Sequence, residues 1–286
     1  MAAPRLTVAF LGPAGTYTEE ALLASSGGEV AHEPRTTVYD TVMAVQRGET
    51  DRAVVPIENS LEGGVAATLD VLAGEADGVR ICAEVVHPIH HHLLAGRDLQ
   101  LDEIDRVLSH PQATAQCARF LAERLPGAQQ VPATSTAEAV RQVCETDAPW
   151  AALGSRLAAD LYGARVLAAG IEDRADNLTR FVWLARDGEA PKPPRGVTKT
   201  SIVFWGFNDE SPGALVSVLR ELSKRHVNLT RIESRPRRVR LGHYMFFADL
   251  QSHDPQLVDE ALQALGERVE TLRVLGSYAA AEPPQA

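Results

Sequence analysis

Short apolar runs alternate with helix-like segments over the first 186 residues of the chain. The runs most typical of buried strands cover residues 7–11, 52–57, 106–108, 129–131 and 150–153. A segment with helical character follows each run, and the first of these opens with Thr16 and Glu19 at the spacing of a capping box. This alternation predicts an α/β fold in which helices cover a mostly parallel sheet.

The pattern changes at residues 187–198, where proline, glycine and charge predict a linker. Residues 199–278 then predict the order strand, helix, strand, strand, helix, strand. In the first of these helices the apolar residues recur at the spacing of one helix face, at Leu215, Val218, Leu219 and Leu222. The order is that of a ferredoxin-like fold, and residues 279–286 are expected to form a frayed tail. The chain of 286 residues therefore divides into two domains, residues 1–186 and 199–278.

Composition and charge exclude several function classes. The chain has 38 acidic and 28 basic residues and a formal net charge of -10, which argues against nucleic acid as a partner, because phosphate binding requires a basic face. No apolar run approaches the ~18 residues of a membrane span, and the first residues lack the apolar core of a secretory signal. Three widely spaced cysteines predict reduced, buried thiols. We therefore expect a cytoplasmic protein that binds neither nucleic acid nor membrane.

Polar side chains follow the predicted strands of the first region. Five clusters stand at such positions: Thr16; Glu58, Asn59 and Ser60; Ser109, His110 and Gln112; Ser135 and Thr136; and Ser155. In α/β sheets, ligands bind beyond the carboxyl ends of the strands. Helix capping would explain any single cluster, but five at one edge predict a pocket in which helix N-termini bind a small oxygen-rich anion.

The remaining motifs are less specific. The sequence lacks the signatures of serine esterases, dinucleotide-binding proteins and P-loop enzymes. The histidine-rich residues 87–92 alternate in direction along an extended segment, and no cysteine or carboxylate pattern accompanies them, so we expect no metal and no cofactor. Five arginines within residues 231–240 fit either a solvated hairpin or a local contact with an anion or partner. Residues 176–181 fit equally a turn entering a strand and a set of hydroxyl donor, guanidinium clamp and aromatic wall.

Six blocks of sequence together resemble one known family. They are FLGPAGTYTEEA (10–21), VVPIENSLEGGV (54–65), SHPQA (109–113), NLTRF (177–181), GALV (213–216) and ESRP (233–236). The whole chain is similar in these blocks to monofunctional bacterial prephenate dehydratase with a carboxy-terminal ACT regulatory domain. The resemblance implies a carbon–oxygen lyase that turns prephenate into phenylpyruvate, water and carbon dioxide in phenylalanine biosynthesis, without a cofactor. The same chemistry on arogenate and a non-catalytic amino-acid sensor remain as alternatives.

The resemblance also implies an architecture. It predicts a catalytic domain with the two-lobed fold of type II periplasmic binding proteins and a βαββαβ ACT domain. One lobe would comprise about residues 1–76 and 175–186, and the other about residues 77–174. The protein would form a homodimer or homotetramer in which phenylalanine binds the ACT domains as allosteric effector.

Candidate site residues follow from the matched blocks. The catalytic set is Thr179, Glu58, Asn59 and Gln112; the substrate-binding set is Thr16, Ser60, Ser109, His110, Arg180 and Phe181; the effector-binding set is Gly213, Ala214, Leu215, Val216, Glu233, Ser234, Arg235 and Pro236. A threonine hydroxyl is a very weak acid, so we expect Thr179 to donate a hydrogen bond to the departing hydroxyl, with Glu58 as the proton source. Phe181 would form an apolar wall, Arg180 a carboxylate clamp, and Glu233 the partner of the effector's ammonium group.

Overall fold

The computed structural model describes residues 6–191, 196–207 and 211–281, so parts of the predicted linker and tail lie outside the described residues. In chain order the strands are β1 (Thr7–Leu11), β2 (Ala31–Arg35), β3 (Arg52–Asn59), β4 (Gly63–Gly64), β5 (Val79–Pro88), β6 (His92–Ala95), β7 (Arg106–Ser109), β8 (Gln129–Pro132), β9 (Trp150–Gly154), β10 (Arg165–Ala168), β11 (Leu178–Arg186), β12 (Thr198–Trp205), β13 (Asn228–Pro236), β14 (Tyr244–Ser252) and β15 (Thr271–Ala279). The helices are α1 (Tyr17–Ser25), α2 (Val38–Gln46), α3 (Ala66–Ala73), α4 (Pro111–Gln116), α5 (Ala118–Arg124), α6 (Thr136–Cys144), α7 (Arg156–Tyr162), α8 (Ala214–Lys224) and α9 (Pro255–Gly266), with a 3-10 turn at Leu101–Glu103.

The first region forms two mixed sheets. The first has the order β2-β1-β3-β11-β5, with β4 paired to β3, and the second has the order β10-β6-β9-β7-β8. β1 is parallel to β2 and β3, whereas β11 runs antiparallel to both of its neighbours, β3 and β5. The prediction of a two-lobed α/β fold is confirmed, but the prediction that the strands are mostly parallel was wrong, because both sheets are mixed. A strand that returns from the second sheet, β11, is inserted in the opposite direction.

The two sheets are joined by two short crossovers. β5 pairs with β11 along its length, so the first sheet extends to Pro88 instead of ending near residue 76 as expected. The chain then enters the second sheet at β6 and returns after β10 to begin β11 at Leu178. Residues 89–91 and 169–177 therefore connect the two lobes, and the polar segment before β11 lies in one of these connections.

The second region has the predicted order. Its four strands form an antiparallel sheet in the order β13-β14-β12-β15, with α8 and α9 packed on one face. The apolar face of α8 buries Val218 and Leu222 in that core. The opposite face of the sheet packs on the first region, where Val203, Phe247 and Tyr278 join a core cluster with residues of β3 and β11. The second region is thus attached to the first sheet through a shared apolar core.

One glycine permits the closest approach between the two regions. At Gly276 of β15 a Cβ atom would overlap the backbone oxygen of Ile81 in β5. The pairing of β12 with β15 shifts register at this point, as at a β-bulge. The missing side chain therefore lets the backbones of β15 and β5 pack directly against each other.

Candidate active site

The end of β3 and the start of β11 bring Asn59 and Thr179 together. The two residues are paired across the antiparallel strands, and each is 8% exposed. Asn59 Nδ2 donates one hydrogen bond of 2.8 Å to Thr179 Oγ1 and another of 2.8 Å to Asn177 Oδ1. Two blocks that are more than a hundred residues apart in the chain therefore form one polar cluster.

The direction of these hydrogen bonds follows from the backbone. The N–H groups of Leu61 and Glu62 donate to Asn59 Oδ1 over 2.9 and 3.1 Å. A backbone N–H only donates, so this atom is the amide oxygen and the nitrogen faces Thr179. Thr179 Oγ1 therefore accepts the hydrogen bond from Asn59. The hydroxyl hydrogen of Thr179 is not consumed by this contact and is available to a ligand.

The same network continues into the second lobe. Asn177 Nδ2 donates to Gln116 Oε1 over 2.9 Å, and His91 Nε2 lies 2.9 Å from the same oxygen. Since Gln116 Oε1 is an acceptor, His91 Nε2 carries the proton, and the Tyr17 hydroxyl, 2.7 Å from His91 Nδ1 and 3.0 Å from the backbone oxygen of His90, shares its hydrogen between these two acceptors. Burial lowers the pKa of His91, which favours the neutral imidazole. Burial also raises the pKa of Tyr17, which favours the protonated hydroxyl.

This network holds both interlobe connections. His91 and Asn177 lie in the two connections, while Tyr17 opens α1 in the first lobe and Gln116 ends α4 in the second. Sequence reasoning missed Gln116, Asn177 and Tyr17 as site residues. A usable signal was present for Gln116, because it stands one helical turn after Gln112, on the same side of α4.

The structure corrects the expected roles of Glu58 and Arg180. Successive strand residues point to opposite faces, so the side chain of Arg180 lies on the face opposite Thr179. There Arg180 Nε bonds to Glu58 over 3.0 Å, and its remaining nitrogens bond to Glu84 over 2.9 Å and to Asp249 over 2.6 Å. Burial alone would lower the pKa of Arg180, but the carboxylates of Asp249 and Glu84 outweigh it and raise the pKa. Arg180 therefore cannot clamp a carboxylate of the substrate beside Thr179. Glu58, which is bonded to Arg180 on the same opposite face, is not placed to give a proton to Thr179.

Two expected substrate contacts are enclosed in the protein. Ser109 is fully buried and donates to the backbone oxygen of Leu153 over 3.1 Å. Phe181 is 2% exposed and packs in the core formed under α1, where His87 meets it edge to face. Both side chains are packed inside the protein and do not line the site. The expectation that Ser109 and Phe181 contact the substrate is therefore wrong.

The other expected binding residues stand at turns and helix starts. Ser60 Oγ accepts from the Leu178 N–H over 3.0 Å and so holds the turn after β3 against β11. His110 caps α4, and Gln112 is exposed in the first turn of that helix. Thr16 donates to the backbone oxygen of Leu11 over 3.0 Å. The capping box predicted for Thr16 was wrong, because its side chain makes no cap hydrogen bond in α1.

Helix caps also account for Ser135 and Ser155, in two further polar clusters. Ser135 accepts from the Glu138 N–H at the start of α6, and Ser155 accepts from the Ala158 N–H at the start of α7. Ser155 also donates to the backbone oxygen of Gly15 over 2.8 Å, which ties the second lobe to the loop after β1. In these two clusters, capping explains Ser135, and capping together with the contact to Gly15 explains Ser155.

The histidine-rich segment is held by carboxylates and amides. His87 Nε2 lies 3.2 Å from Glu20, and His90 Nδ1 lies 2.8 Å from Glu172. Across the described residues, no three His, Cys, Asp or Glu side chains are grouped so that they could hold a metal ion. A search of the same residues for a helix that is long and apolar enough to cross a membrane also finds none.

The two expected effector motifs have different surroundings in one chain. Gly213 caps α8 with φ +82°, and it borders a surface cavity of about 330 Å³ together with Ala214, Leu215 and Val216. On β13, by contrast, Glu233 pairs with Arg231 and lies against Gly64 of the first region. The expectation that Glu233 faces an effector's ammonium group is therefore corrected.

The rest of the second motif also divides between two faces of β13. Arg235 bonds to Asp70 of α3 over 2.9 Å, so its side chain turns toward the first region like that of Glu233. Ser234 and Pro236 alternate with these two residues along the strand and are exposed. Of the eight expected effector residues, Gly213, Ala214, Leu215 and Val216 line the cavity at the start of α8, and the four on β13 do not.

Comparison with known proteins assigns both regions. The family model described as prephenate dehydratase matches residues 8–189, and the model described as ACT domain matches residues 201–267. The chain is 43% identical to the prephenate dehydratase of Mycobacterium sp. (strain KMS), covering 97% of this chain and 91% of that protein. It is 40% identical to the bifunctional chorismate mutase/prephenate dehydratase of Aquifex aeolicus (strain VF5), covering 96% and 74%. A solved prephenate dehydratase in complex with L-Phe from Arthrobacter aurescens superimposes with a TM-score of 0.88 at 40% identity, covering 98% and 92%.

Proposed function

The chain belongs to the prephenate dehydratase family, and we propose that it converts prephenate to phenylpyruvate, water and carbon dioxide with Thr179 acting on the departing oxygen. The observation that carries the proposal is the hydrogen bond from Asn59 Nδ2 to Thr179 Oγ1, which leaves the threonine hydrogen to donate. We assign residues 1–186 to catalysis and residues 199–278 to regulation, joined by the linker at 187–198 and followed by the tail at 279–286.

The reaction requires little more than placement and a proton. The bond between the ring and its carboxylate breaks, its electron pair completes the aromatic ring, and the carboxylate leaves as carbon dioxide. The hydroxyl group leaves the opposite ring position and takes up one proton to become water. Since the pKa of a threonine hydroxyl is far above neutral, Thr179 donates a hydrogen bond to this oxygen and relays to it a proton taken up from solvent. A donor held in a fixed position lowers the barrier because it needs no reorganisation during the reaction.

The negative charges of the substrate need neutral donors, because the cationic side chain nearest Thr179 in the chain, that of Arg180, is turned away. We propose that His110 and Gln112 supply hydrogen bonds to the carboxylate and keto oxygens, whereas the hydroxyl hydrogens of Thr16 and Ser60 are already donated to the backbone oxygens of Leu11 and Asp176. Phe181, beneath Thr179, keeps the floor of the site apolar. A dry floor weakens the solvation of the carboxylate that is lost.

We further propose that phenylalanine regulates the enzyme through the ACT domain. The cavity at the start of α8 offers backbone N–H groups beside Gly213 for a carboxylate and apolar side chains for a ring. The relative from Arthrobacter aurescens was solved in complex with L-Phe, which supports this choice of effector. We expect a cytoplasmic homodimer or homotetramer in which a second copy completes the effector site, because Glu233 and Arg235 are engaged within one chain.

The test is turnover by the purified protein. Prephenate and arogenate are supplied separately, and phenylpyruvate is followed against phenylalanine as the product. We expect phenylpyruvate from prephenate, and a Thr179→Ala variant whose kcat falls on the order of 10²–10⁴-fold with a smaller change in KM. Thr179→Ser, which keeps the hydroxyl, is the matched control. Turnover of arogenate alone, or phenylalanine binding without turnover of either compound, would contradict the proposal.

A further inference from the structure

A buried ionic cluster joins the ACT domain to the strand that carries Thr179. Arg180 is at its centre, 7% exposed, and each of its three nitrogens meets a different carboxylate. Glu58 and Glu84 come from the catalytic domain, on β3 and β5, whereas Asp249 comes from β14 of the ACT domain. A guanidinium that bonds to three carboxylates from three strands is held in one orientation, since its fork is rigid and planar.

The partners of this cluster are themselves held in place. Asp249 uses one oxygen for Arg180 and accepts from the Ser201 hydroxyl through the other, over 2.6 Å. Glu84 is fully enclosed and pairs with Lys199 of β12 over 2.6 Å. Arg231 of β13 also lies 3.5 Å from Glu58. The ACT domain therefore contributes a carboxylate, an ammonium group and a guanidinium to a cluster that contains the residue next to Thr179 in the chain.

The pairing of β11 with β3 is irregular beside Arg180, so contacts outside the ladder matter for the position of the strand. The pairing of β11 with β3 shifts register between Arg180 and Phe181, so the regular ladder is interrupted directly after the Thr179–Arg180 pair. Bulges of this kind reorient side chains next to active sites. The ladder to β5 continues unbroken past Thr179, so the side toward β3 and Asn59 is the irregular one, and there the ion pairs of Arg180 add to what holds the strand.

We propose that Asp249 of the ACT domain positions Thr179 through Arg180, and that this contact transmits the state of the ACT domain to the catalytic hydroxyl. Arg180 and Asp249 are positioning residues, because neither reaches the face of β11 on which Thr179 lies. A shift of β14 relative to β11 moves the guanidinium, and the Thr179 hydroxyl moves with it relative to Asn59. The effect on turnover rests on the proposed function, in which Thr179 is catalytic. The claim that Asp249 holds β11 through Arg180 rests on the contacts alone.

The test compares Asp249→Asn with a matched control, Asp70→Asn. Both changes remove a carboxylate from an ion pair between the same two domains, but Asp70 meets Arg235 and Arg238, away from β11. We expect Asp249→Asn to lower kcat on the order of 10- to 100-fold with KM within about threefold, since small displacements of a catalytic group have effects of this size. Asp70→Asn should keep kcat near that of the wild type. Arg180→Lys, which keeps the charge but loses the fork, should behave like Asp249→Asn.

Two further measurements separate positioning from simple loss of stability. Hydrogen exchange of the peptide covering residues 178–186 should accelerate in Asp249→Asn and not in Asp70→Asn, at a temperature where both are folded. Calorimetry should show phenylalanine still binding to Asp249→Asn while it changes kcat less than in the wild type. Equal exchange and equal kcat in the two Asp variants, or a change in KM alone, would overturn the proposal. If the wild type does not turn over prephenate, the proposed function fails, and the exchange comparison still decides whether Asp249 holds β11.

Discussion

The side-chain amide of Asn59 donates a hydrogen bond to Thr179. Turning this amide so that its oxygen faced Thr179 would break two hydrogen bonds from backbone N–H groups. Its oxygen accepts from the N–H groups of Leu61 and Glu62, so only its nitrogen faces the hydroxyl 2.8 Å away. The side-chain amide therefore sets the direction of the Thr179 hydroxyl. In the proposed reaction that direction is what points the hydrogen at the leaving oxygen.

Replacing Asn59 by Asp tests the direction of this hydrogen bond with almost no change in shape. A carboxylate oxygen would stand where the amide nitrogen was, and Thr179 would have to donate to it. We expect kcat to fall about as far as in Thr179→Ala, on the order of 10²–10⁴-fold, because the hydrogen is diverted from the substrate. Steady-state kinetics with prephenate measure this. A kcat for Asn59→Asp close to that of the wild type would show that the direction of the bond is unimportant.

The buried His91 makes folding sensitive to moderate acid. Its pKa in the folded protein is lowered, chiefly by burial, from the ordinary value near 6.5 that it has in the unfolded chain. Between these two values the unfolded chain binds more protons, so the free energy of unfolding falls as the pH is lowered through this window. We expect His91→Gln to reduce the difference in stability between pH 7.5 and pH 5.5, even though its stability at pH 7.5 is lower.

Urea unfolding at a series of pH values measures that slope. The matched control is His253→Gln, since His253 is exposed in the turn before α9 and makes no comparable buried contact in the described residues. This control should reproduce the pH dependence of the wild type. A His91→Gln variant whose stability falls as steeply with acid as the wild type would assign the acid sensitivity to other groups, such as the partly buried His92, whose pKa is also lowered by burial.

Gly213 should be needed for the response to phenylalanine but not for catalysis. Its φ of +82° is costly for any residue with a Cβ, while the space around it is open. Gly213→Ala should therefore disturb the start of α8 without a clash and abolish the effect of phenylalanine, leaving basal kcat unchanged. Inhibition curves and calorimetry with phenylalanine measure this.

Gly163→Ala controls for backbone strain alone. Gly163 has φ +71° at the end of α7, again with open space around a Cβ, and lies far from the ACT domain in the chain. The two variants should lose similar stability, about 1 kcal/mol. Retained inhibition in Gly213→Ala, or its loss in both variants, would remove Gly213 from the effector site.

The pattern of apolar residues along the chain predicted those strands and helices in which the apolar positions repeat regularly. The strands predicted at residues 7–11 and 150–153 and the whole βαββαβ order agree with the structure, because their apolar residues recur with a clear period. The strand at residues 31–35 was missed, since it is a short edge strand whose side chains are mostly exposed and polar. The antiparallel placement of β11 was also missed, because pairing between residues 52–59 and 178–186 depends on contacts distant in the chain.

The site was predicted in part, and the errors share one cause. Thr179 and Asn59 come together as expected, but Arg180 and Glu58 were assigned to the same pocket because they are their neighbours in sequence. In a strand the neighbour points to the opposite face, so the period of two already argued against that assignment. What sequence could not supply was the identity of the surface on the opposite face, which is the ACT domain.

Docking of the two domains depends on the missing side chain of Gly276. A Cβ there would overlap the backbone of Ile81, which cannot move away as a flexible side chain would. We expect Gly276→Ala to lower the free energy of unfolding by about 1–3 kcal/mol or more, as overpacking does, by forcing β15 away from β5. The same displacement would shift Asp249 relative to Arg180, so kcat should fall as well.

Gly266→Ala is the control, because its Cβ would meet only Leu272 at 3.9 Å at the end of a helix, where alanine is favourable. Urea unfolding of both variants measures the difference, and equal stabilities would show that the domains do not require this close approach.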